Sequence, residues 1–167
     1  MSTHEHHAKA KHAVACAILT VSDTRTPETD VSGVCIRALL EEAGHRVVGY
    51  AILPDDPGRI RGHLEGLFAL PELDAVIVNG GTGLARRDTT YEAIGTLLEK
   101  KLDGFGELFR MLSYQQVGAA AMLSRAAAGV AHGKVVVSLP GAPAAVELAM
   151  QKLVVPELGH MVHLLRA

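Results

Sequence analysis

Residues 74–83, Asp74-Ala75-Val76-Ile77-Val78-Asn79-Gly80-Gly81-Thr82-Gly83, set a short β-branched run directly against three glycines. An apolar run of that length, bounded by turn residues, reads as a strand buried on both faces that empties into a loop. Upstream, Val14 to Val21 is a second such run. Val31, Val34, Cys35, Ala38 and Leu39 then recur at helical spacing, with Asp30 placed to cap the helix and Gly44 to end it. Arg46 to Leu53 returns to a strand pattern, and Pro57 opens a helix behind Asp56 with Ile60, Leu64, Leu67 and Phe68 on one face. This β-α-β-α-β series calls for right-handed crossovers, hence a largely parallel sheet with helices on both faces.

Downstream, Ile94, Leu97 and Leu98 mark a further helix ending at Lys100-Lys101, and Phe105, Leu108, Phe109 and Leu112 another. Arg125 to Leu139 predicts two short strands around a turn at His132-Gly133. Two closing helices follow, one carrying Val146, Ala149, Met150 and Leu153, the other Leu158, Met161, Val162 and Leu165 behind Pro156. The chain divides into a polar tail, residues 1–12, holding His4, His6, His7 and His12, and a single domain, residues 13–167.

The 167 residues are 49% hydrophobic and 20% charged, enough apolar material for a core, so wholesale disorder and a disulfide-dependent mini-protein are excluded. Only 4% are aromatic, so that core is aliphatic, and the 17 glycines predict close backbone approaches. A formal charge of -2 gives no positive field for nucleic acid or anionic lipid. Apolar runs too short to span a bilayer, and no charged-then-apolar leader, predict a cytoplasmic protein. Cys16 and Cys35, in no CxxC pair, read as buried free thiols.

In open α/β sheets ligands bind beyond the carboxyl ends of the strands. Four such ends are rich in Gly, Ser, Thr, Pro and Asp: Thr20-Val21-Ser22-Asp23, Pro54-Asp55-Asp56, the loop Gly80 to Asp88, and Ser138 to Gly141. Converging, they would form a polar cleft suited to a phosphorylated ligand. Gly80-Gly81-Thr82-Gly83 frees backbone N–H groups to face an anion, although a tight turn explains it equally well. It is neither GxGxxG nor GxxxxGK[ST], so dehydrogenase and P-loop readings lack their fingerprints. Thr89 and Glu92 have capping-box spacing, with Thr90 the alternative cap. Asp88 reads either as a Mg²⁺ ligand or as an acid stabilised by the helix dipole. Asp56 caps the helix behind it, which leaves Asp55 without a structural duty. Ser22 and Asp23 read locally as turn residues, and His45 and His63 as surface histidines.

Thr20-Val21-Ser22-Asp23, Asp30 with Ser32-Gly33, Pro54-Asp55, Gly80-Gly81-Thr82-Gly83 with Arg87-Asp88, Gly104-Phe105-Gly106-Glu107, Leu123-Ser124-Arg125 and Leu139-Pro140-Gly141 stand in one order along the chain. Together they resemble the MoaB/MogA family of molybdenum-cofactor biosynthesis proteins, from Ala13 to Arg166, and Gly104 to Tyr114 is closer to the MoaB branch. The resemblance implies a three-layer α/β/α sandwich that binds molybdopterin and adenylylates it with ATP and Mg²⁺, releasing pyrophosphate. It implies catalytic, Mg²⁺-holding roles for Asp55 and Asp88. It implies ligand binding by Thr20, Ser22, Asp23, Gly80, Gly81, Thr82, Gly83, Arg87, Thr90, Ser124, Pro140 and Gly141. It also implies a homotrimer or homohexamer and association with other enzymes of the pathway. A non-catalytic molybdopterin carrier is the alternative, and an assembly scaffold with a vestigial pocket a third reading. Many relatives have Pro where this chain has Tyr91, which predicts altered rigidity at a helix start rather than lost chemistry. The polar-poor stretch Val117 to Val130 reads either as a subunit interface or as monomer core.

Overall fold

A computed structural model describes residues 12–167. The histidine tail therefore lies outside the described residues, apart from exposed His12. The chain builds β1 (Ala15–Val21), α1 (Val31–Glu42), β2 (Arg46–Leu53), α2 (Pro57–Phe68), β3 (Ala75–Asn79), α3 (Thr90–Gly95), β4 (Lys100–Lys101) and α4 (Asp103–Val117). After a 3-10 segment, Gly118–Leu123, come β5 (Ala127–Ala131), β6 (Lys134–Leu139), α5 (Pro143–Ala149) and α6 (Val155–Arg166). The sheet order is β2-β1-β3-β6-β5-β4, with the first four strands parallel and β5 antiparallel to both neighbours. His132, at φ 50°, and Gly133, at φ 72°, form the tight turn that joins β5 to β6.

Period-2 alternation sorts the strand side chains between two cores. Cys16, Ile18, Ala75, Ile77, Val135 and Val137 face α1, α4, α5 and α6, whereas Ala17, Leu19, Val76, Val78 and Val136 face α2 and α3. Helices thus cover both faces, which makes the three-layer sandwich. Burial pushes the Cys16 thiol up to about 12, Asp74 adding to the shift, and raises that of half-buried Cys35. Both are free thiols, and neither is poised to react.

Three local expectations need correction. Lys100-Lys101 do not end a helix: α3 stops at Gly95, and the lysines form the edge strand β4 against Gly129 and Val130. The buried face of α1 is Ser32, Gly33, Ile36 and Leu40, while Val31 and Val34 are about 60% exposed. Small residues let that helix approach the sheet closely, and this turns the valines outward. The closing helices are continuous through a π turn, Met150–Val154, in which Val155 N–H bonds to Met150 O. A widened turn directly before Pro156 accommodates a residue that cannot donate to the preceding turn.

Asp30 caps α1 by accepting from Gly33 N–H at 2.9 Å. It is also buried, and its other oxygen accepts from Thr20 Oγ1 at 2.6 Å and Tyr50 OH at 2.7 Å. Asp30→Ala strands three donors, so stability is expected to fall by about 3 kcal/mol. Chemical denaturation checks this; a loss below about 1 kcal/mol would show that the network is replaceable by water.

Candidate active site

The carboxyl ends of β1, β2, β3 and β6 converge, as parallel neighbours must, and their loops enclose a cleft of about 550 Å³. Ser22, Asp23, Asp55, Gly80, Gly81, Thr82, Gly83, Arg87, Asp88, Ser124, Pro140 and Gly141 all line it, although up to 119 positions separate them in sequence (141 less 22). Two of the residues assigned by resemblance do not. Thr20 is fully buried, donating to Asp30 and accepting from Asn79 Nδ2 at 2.9 Å, so it supports the floor. Thr90 is fully buried in the first turn of α3, behind Gly81, and its backbone N–H bonds to Gly81 O at 3.1 Å.

Gly80 and Gly81 have φ of 101° and 68°, the left-handed region that side chains disfavour. A Cβ on Gly81 would overlap Thr90 Oγ1 and lie 2.5 Å from Asp55 Oδ2. The loop therefore packs directly on one of the two candidate acids.

Asp55 has a structural duty after all. Its Oδ1 accepts from Thr89 N–H at 3.0 Å and Thr89 Oγ1 at 2.5 Å, and its own N–H donates to Asp23 Oδ1 at 3.0 Å. Asp56 caps α2 as its place before Pro57 predicts, accepting from Arg59 N–H at 2.8 Å. The Thr89–Glu92 capping box does not form: Thr89 turns its hydroxyl to Asp55, Glu92 pairs with Arg125, and Thr90 lies inside α3 with no hydrogen bond to its hydroxyl. Asp88 Oδ2 accepts from Ala85 N–H at 3.1 Å, which ties off the loop. Ser22 makes the local turn its type predicts, its Oγ accepting from the N–H groups of Thr24 and Arg25 at 3.2 and 3.0 Å, while still lining the cleft.

Asp55 Oδ2 and Asp88 Oδ1 make no hydrogen bond within the described residues, so each acid keeps one oxygen for a hard cation. No group of three or more His, Cys, Asp or Glu among the described residues is arranged to hold a metal. A Mg²⁺ ion there would complete its shell with phosphate oxygens and water, as this ion does in phosphoryl-transfer sites.

Residue types alone do not single out two arginines. Arg25 lines the cleft, donates from Nη2 to Gly141 O at 2.8 Å and lies 3.6 Å from Asp30, while Ser32 Oγ donates to the same carbonyl at 2.7 Å. Arg125 holds the glycine loop from behind: Nε donates to Thr82 O at 3.2 Å, and Nη2 donates to Gly83 O at 2.7 Å and Asp88 O at 3.1 Å. His45 is half-buried rather than freely exposed; its Nδ1 accepts from Val14 N–H at 3.1 Å, and burial holds its pKa below the ordinary imidazole value. Partial burial does the same to His63 on α2.

Residues 17–160 match the family model described as "Probable molybdopterin binding domain". The chain belongs to the MoaB/MogA family of molybdenum-cofactor biosynthesis proteins. Molybdenum cofactor biosynthesis protein B of Halalkalibacterium halodurans is 51% identical over 162 residues, covering 96% of this chain and 95% of the relative. A crystal structure of a molybdenum cofactor biosynthesis protein B matches with a TM-score of 0.91 at 50% identity, over 93% of this chain and 98% of the other. The tungsten cofactor synthesizing protein MoaB of Pyrococcus furiosus matches with a TM-score of 0.83 at 36% identity, over 93% and 98%. Within the family the chain is thus of MoaB type, and its place is in molybdenum-cofactor biosynthesis. Among the described residues no helix is long and apolar enough to cross a membrane.

Proposed function

We propose that the cleft binds molybdopterin and ATP and that the chain joins them. The terminal phosphate oxygen of molybdopterin attacks the α-phosphorus of ATP, a new P–O bond forms, and the bond from that phosphorus to the bridging oxygen breaks, releasing pyrophosphate. The observation that carries this reading is the packing of two carboxylates, Asp55 and Asp88, onto the glycine loop in one cleft. An acid beside a phosphate site is repulsive unless a cation lies between them. Mg²⁺, held by Asp55 and Asp88, would supply charge neutralisation along the phosphates. The chain's own part is alignment: the backbone of Gly81, Thr82 and Gly83 offers N–H groups to phosphate oxygens, the Gly80 N–H being held by Leu139 O at 2.9 Å, while Ser22 and Ser124 offer hydroxyls and Arg87 offers a positive charge. Nothing here needs a side-chain nucleophile.

Turnover tests it. Purified protein with molybdopterin, ATP and Mg²⁺ is expected to release pyrophosphate in step with adenylylated product. Molybdopterin binding without pyrophosphate release would make the chain a carrier, and no binding at all would leave only a scaffold.

We further propose that the chain is a trimer or a dimer of trimers. The stretch Val117 to Val130 divides: Ala126 and Ala128 sit in the core, while Val117 is 60% and Met122 76% exposed. With Leu108, Met111 and Tyr114 of α4 these make a run of large exposed apolar side chains, the kind of surface that association covers. Light scattering at low micromolar concentration is expected to return about three or six times 17.6 kDa, and a mass of one chain would overturn the assembly.

A further inference from the structure

The cleft is not alone at this edge of the sheet. A second cavity of about 720 Å³ lies between α3, α4 and β5, and Ser124 lines both. Arg125 lines this second cavity and does not line the cleft, yet every nitrogen of its guanidinium is spent on the cleft's loop or on α3. Nε and Nη2 take the carbonyls of Thr82, Gly83 and Asp88, and Nη1 pairs with Glu92. The Tyr91 ring lies 4.9 Å from the guanidinium carbon. These contacts grip residues 82, 83 and 88, so the exposed stretch Leu84 to Arg87 is strung between two fixed points.

We propose that Arg125 is a positioning residue of the cleft, a planar clamp that holds the carbonyls of the glycine loop rearward so that its N–H groups face the cleft. A peptide group turned by one end is turned at the other, so fixing the carbonyls of residues 82 and 83 orients the N–H groups of residues 83 and 84. Three carbonyls and one carboxylate around one group require donors spread in a plane, which guanidinium provides and ammonium does not. Tyr91 covers one face of that plane.

The consequence for the cleft rests on the anion-binding reading above, whereas the clamp does not, and one experiment separates them. Arg86 and Arg87 lie in the clamped stretch and are exposed, so trypsin reports on its opening. In Arg125→Met, cleavage after residues 86 and 87 is expected to quicken by about tenfold or more while the melting temperature stays close to that of the unaltered chain, because the freed segment opens locally. Arg125→Lys is expected to be cleaved nearly as fast as Arg125→Met. Tyr91→Ala is expected to fall between them and the unaltered chain. Equal cleavage of the unaltered chain and Arg125→Met overturns the clamp. So does full recovery in Arg125→Lys, since charge alone would then suffice, and so does acceleration at sites throughout the chain, which marks general destabilisation. Adding inorganic pyrophosphate with Mg²⁺ completes the comparison: protection of the unaltered loop, lost in Arg125→Met, supports both steps. Faster cleavage of Arg125→Met with no protection of either protein supports the clamp and counts against the anion site.

Discussion

Asp88→Asn is expected to lower the rate of pyrophosphate release by at least about 100-fold, the scale of removing one group that stabilises charge in a transition state. The change is nearly isosteric, and an amide oxygen can still accept from Ala85 N–H, so the tie across the loop survives. What disappears is the negative charge that balances a cation among the phosphates. The melting temperature should therefore move by no more than about 2 °C, since a partly exposed polar side chain contributes little to packing. Asp55→Asn should behave alike if its amide oxygen keeps the two bonds from Thr89. Initial rates with saturating ATP, alongside thermal melts of the same preparations, check both. A large loss of stability with turnover intact would reduce Asp88 to a loop tie and remove it from the chemistry.

Gly81→Val should abolish binding of ATP with Mg²⁺, by a factor of about 100 or more, through two independent effects. The first is backbone strain: φ of 68° is close to forbidden for a β-branched residue. The second is displacement, because the new Cβ falls on Thr90 Oγ1 and against Asp55 Oδ2, so loop and acid move together. A cost of about 2–4 kcal/mol in stability accompanies this, in the range of overpacking plus a disfavoured dihedral. Gly81→Ala meets the same two atoms with less bulk beyond them and serves as the folded companion should the valine variant not fold. Calorimetric titration of either variant decides: affinity equal to that of the unaltered chain, in a protein with normal circular dichroism, takes the loop out of the site.

Local chemistry by itself determined a good part of this molecule. The predominantly apolar run Val14–Val21 and the apolar run Ala75–Val78 are what strands buried on both faces require, and their alternation with helical spacing compels parallel crossovers. Asp30 and Asp56 cap helices because the geometry of a cap is set within three residues of it. Two of the three glycines beyond β3, Gly80 and Gly81, adopt positive φ, a conformation set by the single residue and therefore open to reading from residue type.

What only the tertiary structure decided depends on which strands lie side by side. Asp55 sits on Thr89 because the order β2-β1-β3 brings loops 34 residues apart to one edge, and this contact left the capping box unformed. Thr20 is buried rather than offered to a ligand because the buried cap of α1 needs its hydroxyl. The face of α1 rotated away from its valines because a backbone can come closer to a sheet through Ser32 and Gly33 than any apolar count reveals. Lys100-Lys101 became an edge strand because β5 presented an unpaired side. Arg125 reaches the glycine loop across about 40 residues, and a guanidinium finds its carbonyls through space, where spacing along the chain carries no record of them.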